Sequence, residues 1–266
     1  MMAEEYRARL KNIKCFLLDM DGTFYLGDRL LEGSLSFLET LAQTGRSALF
    51  MTNNSSRSAV FYEKKLANMG VPEAFRSVLT SGQAAGKYIL SRFAAQRGFL
   101  LGNESLRDEL LQMGLVFDRE RPAYVLMGYD TSLDYEKMTL VCDFVRQGLP
   151  YIATHPDFNC PTEKGYAPDI GAMIAFVEAS TGRRPDVILG KPNAGIVDEA
   201  LRRTGFPKEN LAMVGDRLYT DIATGVHFGM TSILVLTGEA TREDLKQSAI
   251  QPDLVFDRLS DMNEYL

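Results

Sequence analysis

The chain has 266 residues, of which 45% are hydrophobic and 24% charged, with a formal net charge of −6. That length buries one large core, or one core beside a smaller domain. The acidic balance excludes duplex nucleic acid as a default partner, because such binding rests on neutralised phosphates.

The opening MMAEEYRARLKNIK is charged and lacks the apolar stretch of a secretory leader. No apolar run approaches the roughly 20 residues that span a bilayer, so no membrane partner is expected. Cys15, Cys142 and Cys160 are odd in number, widely spaced and form no CxxC. That pattern predicts reduced thiols and a cytoplasmic chain. His155 and His227 are too few and too far apart for a multi-histidine zinc centre. Chemistry is left to carboxylates, lysine and hydroxyls.

In chain order, short apolar runs predict strands at 15–19, 47–52, 77–80, 99–102, 123–128, 150–154, 186–190, 211–215 and 232–237. Amphipathic stretches predict helices at 34–44, 58–69, 83–95, 104–113, 134–147, 171–180, 194–204 and 241–248. Most of the strands lack polar alternation, as strands covered on both faces do. Strand followed by helix, repeated, predicts an α/β fold of parallel sheets joined by right-handed crossovers. Two smaller sheets are easier to cover than one of nine strands.

In open parallel sheets, ligands bind outside the carboxyl ends of the strands, and polar residues cluster at those ends here. Asp19 and Asp21 end the first strand, Thr52-Asn53-Asn54-Ser55 the second, Lys191 follows VILG and Asp216 follows AMVG. Folded into one sheet, these four edges would converge on one crevice. Three carboxylates and a lysine there suit magnesium-assisted phosphoryl chemistry, since Mg²⁺ is a hard ion held by a few carboxylates, waters and phosphate oxygens. Asp19 and Asp216 are the candidate side-chain ligands. Asp19 is also placed to attack phosphorus. Asp21 serves as acid to the leaving alkoxide and then as base to water, its proton held by negative charge nearby. Gly22 lets that loop turn back over the site. Thr52 offers a hydroxyl, the amides at Asn53 and Asn54 can face phosphoryl oxygens, and Lys191 adds a fixed positive charge. Asp221, in the turn into the next helix, is positioned to hold Lys191 or a metal-bound water.

Blander readings stand beside these. As an EF-hand fragment the 19–30 loop has its glycine at position four instead of six and Leu30 where a glutamate is required. The GK at 190–191 lacks the earlier glycine of a phosphate loop. Asp216 and Asp221 can cap a helix, as can Asn54 or Ser55. Arg217 and Tyr219 share the last loop but are free to point to solvent. His155 is either a ligand contact or a plain turn residue, His227 is structural and follows a helical stretch, and Cys160 is a bystander. Met127, Met138 and Met173 fill a core.

DMDGT, FMTNNS, GKP and GDRLYTD, in this order, resemble the four signature motifs of the haloacid dehalogenase superfamily, most of whose members are phosphatases. The resemblance covers roughly the whole chain. It implies a Rossmann-like parallel-sheet core. Asp19 is then the nucleophile, Asp21 the acid/base and, through its backbone carbonyl, a metal ligand with Asp19 and Asp216. Thr52 binds phosphate, Lys191 stabilises charge, and Asp221 matches the second acid of the last motif. The short Asp19–Thr52 interval leaves no room for a cap domain, whereas the long Thr52–Lys191 interval resembles an inserted C2-type α/β cap. The stretches TNNSSRS, GKPNAGI, GDRLYTDI and VLTGEAT are similar to the NagD-type branch. The division so implied is core over 1–80, cap over 81–182 and core over 183–266. Segment 154–173 is the expected specificity loop. Relatives in that branch act on pyridoxal phosphate, phosphoglycolate, sugar phosphates or nucleoside monophosphates, and pair through the cap as homodimers. Two other activities fit less well. A phosphotransferase or mutase keeps the same site, and dehalogenation needs no acid such as Asp21. A non-enzymatic phosphoacceptor receiver is much shorter and carries its aspartate where this chain has TNNS.

Overall fold

The computed structural model describes residues 2–162 and 165–266. In chain order the elements are α1 (Met2–Leu10), β1 (Cys15–Leu18), β2 (Tyr25–Leu26), β3 (Arg29–Leu30), α2 (Ser34–Gln43), β4 (Ser47–Thr52), α3 (Ala59–Asn68), β5 (Val78–Thr80) and α4 (Ser81–Arg92). Next come β6 (Arg97–Leu101), α5 (Glu104–Gln112), β7 (Val116–Phe117), β8 (Tyr124–Met127), α6 (Tyr135–Arg146), β9 (Tyr151–Ala153), β10 (Asn159–Thr162), β11 (Gly165–Pro168) and α7 (Ile170–Thr181). The chain closes with β12 (Val187–Ile188), α8 (Ala194–Thr204), β13 (Leu211–Gly215), α9 (Ala223–Phe228), β14 (Thr231–Val235), α10 (Arg242–Gln247) and β15 (Leu254–Phe256).

The chain divides into two compact units. The first comprises the residues up to Met51, Tyr62–Leu79 and Val197–Leu266. Its sheet has the order β15-β14-β13-β1-β4-β5. The ladders β15–β14, β14–β13, β13–β1 and β1–β4 are all parallel. Strand β1 is apolar throughout and fully buried, as a central parallel strand must be. Leu18 lies between Val214 of β13 and Phe50 of β4. Asp19 and Asp216 therefore leave neighbouring strands at the same edge. Helix α2 covers the sheet with Phe37, Leu38 and Leu41, and the Phe37 ring meets Phe16 edge-on at 5.4 Å. Each such buried side chain contributes about 2 kcal/mol. After Asp21, β2 and β3 form an antiparallel hairpin.

The second unit comprises Thr52–Phe61 and Thr80–Ile196. Its parallel sheet runs β12-β9-β8-β6-β7, with the antiparallel hairpin β10–β11 beside it in sequence. Its core joins Phe99, Val125, Tyr151, Val141, Phe144 and Val177. Met127, Met138 and Met173 belong to it, as expected of filling residues.

Every expected strand is a strand within two residues of its predicted bounds, and every expected helix is a helix within three. The single sheet that would gather four strand ends is not formed. The short apolar run before Lys191 finds the free edge of β9, with Val187 opposite Ile152 and Ile188 opposite Ala153. Lys191 thus follows a strand of the second sheet, while Asp19 and Asp216 leave the first. The sheet of the second unit ends with β12, and the unit itself runs on to Ile196. Segment 154–173, expected as a loop, holds the hairpin β10–β11 and the start of α7. Its residues 163–164 lie outside the described residues. His227 lies inside α9 and is exposed, where the sequence placed it after a helix. Among the described residues no helix is long and apolar enough to cross a membrane.

Candidate active site

In the first unit, the carboxylates of Asp19, Asp216 and Asp221 offer oxygen atoms that all lie within 4.8 Å of one another. Asp216 and Asp221 are buried and Asp19 is half-buried. Local sequence explains how three acids come so close. A Cβ on Gly22 would stand 2.5 Å from Asp216 Oδ2, and Gly22 has φ +85°, a conformation that side chains resist. Added Cβ atoms at Gly215 and Gly238 would run into Asp221 and Asp216. Three glycines thus let backbone approach the acids directly.

The carboxylates are held by specific donors. Thr23 Oγ1 donates to Asp216 Oδ1 at 3.2 Å and the Glu239 amide to Asp216 Oδ2 at 2.7 Å. The Arg217 amide donates to Asp221 Oδ2 at 3.2 Å. Thr237 Oγ1 donates to the Gly22 carbonyl at 2.6 Å, which fastens the loop after β1 to the loop after β14. Asp221 sits in the π-turn Leu218–Ile222, not in a regular helix start.

Burial, together with the neighbouring Asp221 carboxylate, pushes the Asp216 pKa up to about 6. Asp21 is exposed as a residue, yet protein around its carboxyl desolvates it and raises its pKa, against the opposing pull of the Gly27 amide, Lys65 and Arg217. Gly27 donates to Asp21 Oδ1 at 3.2 Å. The sequence left Arg217 free to point to solvent, but its side chain is mostly buried and lies 3.0 Å from Glu239. Burial opposes its charge, and Asp19, Asp221 and Asp216 outweigh that and hold the guanidinium protonated. Its place between two acids of one short loop is visible in the sequence but does not fix the direction of its side chain. Tyr219 is exposed.

A donor set of crowded carboxylate oxygens, with no thiolate or imidazole among them, fits a hard divalent cation. Burial first, and then the charge of Asp221, make an ionised Asp216 costly, a cost that a bound cation would offset. Asp221 lies within this acid cluster, where the sequence pointed to Asp19, Asp21 and Asp216 as ligands and placed Asp221 to hold Lys191 or a metal-bound water.

The second unit carries the other expected residues. Thr52 ends β4, is buried, and accepts the Asn54 amide on Oγ1 at 3.1 Å. Asn53 pairs its side-chain amide with the backbone of Lys191, and both residues are buried. Asn54 Oδ1 accepts from the amide and hydroxyl of Ser56. Neither Asn54 nor Ser55 caps α3. Glu109 accepts the Ala59 amide at 2.8 Å, and Ser55 Oγ meets Thr154 Oγ1 and the Tyr129 amide. His155 is buried, with Nε2 3.1 Å from Asp169 Oδ1 and Nδ1 3.0 Å from Thr154 Oγ1.

The haloacid dehalogenase-like hydrolase family model matches residues 16–116, and a second model of HAD-like hydrolases matches 188–262. A 4-nitrophenylphosphatase from Thermotoga maritima shares 50% identity and superposes with a TM-score of 0.93, covering 96% of this chain and 98% of its own. The 5'-nucleotidase YutF of Bacillus subtilis is 34% identical over 97% of this chain and 100% of its own length. An acid sugar phosphatase of Staphylococcus haemolyticus is 37% identical over 94% of this chain and 95% of its own. With four motifs in order, an acid cluster at the edge of a parallel sheet and likeness to phosphatases over nearly its full length, the chain belongs to the haloacid dehalogenase superfamily, as a hydrolase of its NagD-type phosphatase branch.

Proposed function

We propose that this chain is a cytoplasmic, Mg²⁺-dependent phosphatase of small phosphorylated metabolites, working through an aspartyl-phosphate on Asp19. The observation that carries the reading is the gathering of Asp19, Asp216 and Asp221 within 4.8 Å at the carboxyl edge of the first sheet. Asp19, Asp216 and the backbone carbonyl of Asp21 would hold Mg²⁺, which supplies the positive charge that lets a phosphate dianion approach a carboxylate. An Asp19 oxygen attacks phosphorus, and the bond from phosphorus to the leaving oxygen breaks. Asp21, its pKa raised, gives its proton to that oxygen. It then takes a proton from the water that attacks the aspartyl-phosphate and releases inorganic phosphate. Asp221 helps hold the last-motif loop through the Arg217 amide and would orient water beside a bound cation.

Thr52 and Lys191 take phosphoryl oxygens, the first as a hydroxyl donor and the second as a fixed charge. Because the side chains of Asn53 and Asn54 are committed within the protein, any phosphate contact from these residues falls to backbone N–H groups. Residues 81–182 act as the C2-type cap between core segments 1–80 and 183–266. Its segment 154–173 sets specificity. The relatives' activities support sugar phosphates and nucleoside monophosphates as substrates, with phosphoglycolate and pyridoxal phosphate as further classes. The cap is also the face through which the chain forms a homodimer.

The deciding experiment is turnover of p-nitrophenyl phosphate with Mg²⁺ by Asp19→Asn, expected to fall by roughly 10³-fold or more, as for loss of a covalent nucleophile. Normal turnover by this variant ends the proposal. Phosphate release from a panel of phosphometabolites then identifies the substrate.

A further inference from the structure

We infer that Asn53 is a positioning residue that fixes Lys191, an inference resting on the proposed role of Lys191 as charge stabiliser. The Asn53 side chain meets both polar groups of one residue's backbone. Its Oδ1 accepts the Lys191 amide at 2.7 Å and its Nδ2 donates to the Lys191 carbonyl at 2.9 Å. Among uncharged side chains at neutral pH, a carboxamide places an acceptor and a donor side by side and so closes such a ring. Nδ2 also lies 3.2 Å from each oxygen of Asp157, which fixes the amide against flipping. The Asn53 carbonyl in turn accepts from the Ser81 hydroxyl.

Burial sharpens the dependence. Asn53 is 6% exposed and Lys191 2% exposed, so truncation at Asn53 strands peptide groups away from water. Glycine is also required beside the clamp. A Cβ on Gly190 would stand 2.6 Å from Asn53 Oδ1 and 2.8 Å from the Thr154 carbonyl. The neighbouring His155, Asp157 and Asp169 resemble a metal-ligand set. Hydrogen bonds to Asn53 and within the set already engage its atoms, so it serves as support for the clamp.

The clamp makes Asn53 act through Lys191, and a double-mutant cycle reads this directly. The probe is p-nitrophenyl phosphate with Mg²⁺, following kcat and KM separately, with circular dichroism to establish folding. Asn53→Ala should lower kcat by about 10- to 100-fold, the scale of a displaced catalytic group, while KM changes little. In a Lys191→Ala background the same substitution should cost less than about 2-fold, because the group it positions is gone. Equal losses in both backgrounds overturn the inference and make Asn53 merely structural. If Asn53→Ala fails to fold, Asp157→Asn, which loosens the amide without deleting it, should lower kcat by a few-fold and lose that effect in the Lys191→Ala background. An effect of Asp157→Asn that persists there also overturns it. Full turnover by Lys191→Ala alone would defeat the role given to Lys191, a result separate from either outcome at Asn53.

Discussion

Gly22 shows how far a single residue controls the acid cluster. Its φ of +85° costs an alanine about 1 kcal/mol, and the added Cβ meets Asp216 at 2.5 Å. The loop cannot move away easily, because its carbonyl accepts from Thr237. Gly22→Ala should destabilise the fold by about 2 kcal/mol or more, read as a lower urea midpoint at unchanged slope, and should weaken Mg²⁺ binding in a titration. An unchanged midpoint would show that the loop relaxes freely. The acids themselves were legible in the sequence, since carboxylates at the ends of apolar runs have few structural uses. Arg217 was not, because nothing local tells a loop arginine whether to face solvent or an acid cluster. Its direction is set by charges that only the fold brings together.

At the scale of the element, α8 is held by an ion-pair network worth testing. Glu199 is buried and accepts from Arg202 at 2.7 Å and from Arg203 at 2.8 Å, while Arg203 also donates to the Val78 carbonyl on β5. Burial alone would raise the Glu199 pKa, but the two guanidinium partners outweigh it and pull the group below its ordinary 4.5. A carboxylate whose folded pKa is depressed stabilises the fold above its unfolded pKa and loses that contribution as pH falls through the folded value. Glu199→Gln should therefore cost about 1 kcal/mol at pH 7, limited by the exposure of Arg202. Denaturation midpoints of the two proteins should converge as the pH falls below the ordinary carboxylate range, through the depressed folded value. A gap that stays constant across this range would show that the pairing is not electrostatic. Elements differ in how visible they are. Buried strands such as β1, β4 and β13 announce themselves as unbroken apolar runs, whereas α1 is mostly polar and β10–β11 carries proline and glycine in NCPT and GYAP. The hairpin is made by its antiparallel pairing, which no propensity in either strand specifies.

For the whole molecule, the assignment of strands to sheets was the least legible feature. β12 reads like any core strand, and only its pairing with β9 places it in the second sheet. Two sheets in two compact units have a measurable consequence. In the second core Phe144 packs on Phe99 with ring centroids 5.3 Å apart. Phe144→Ala should cost about 3 kcal/mol or more, lowering the melting transition of that unit by roughly 10 °C. The proposed cation ligands Asp19, Asp21 and Asp216 all belong to the first unit. Mg²⁺ should stabilise that unit in proportion to RT ln(1 + [L]/Kd). Calorimetry should then resolve two transitions, one lowered by Phe144→Ala and the other raised by added Mg²⁺. If a single transition answers to both perturbations, the two units melt as one cooperative body and the two-transition expectation fails.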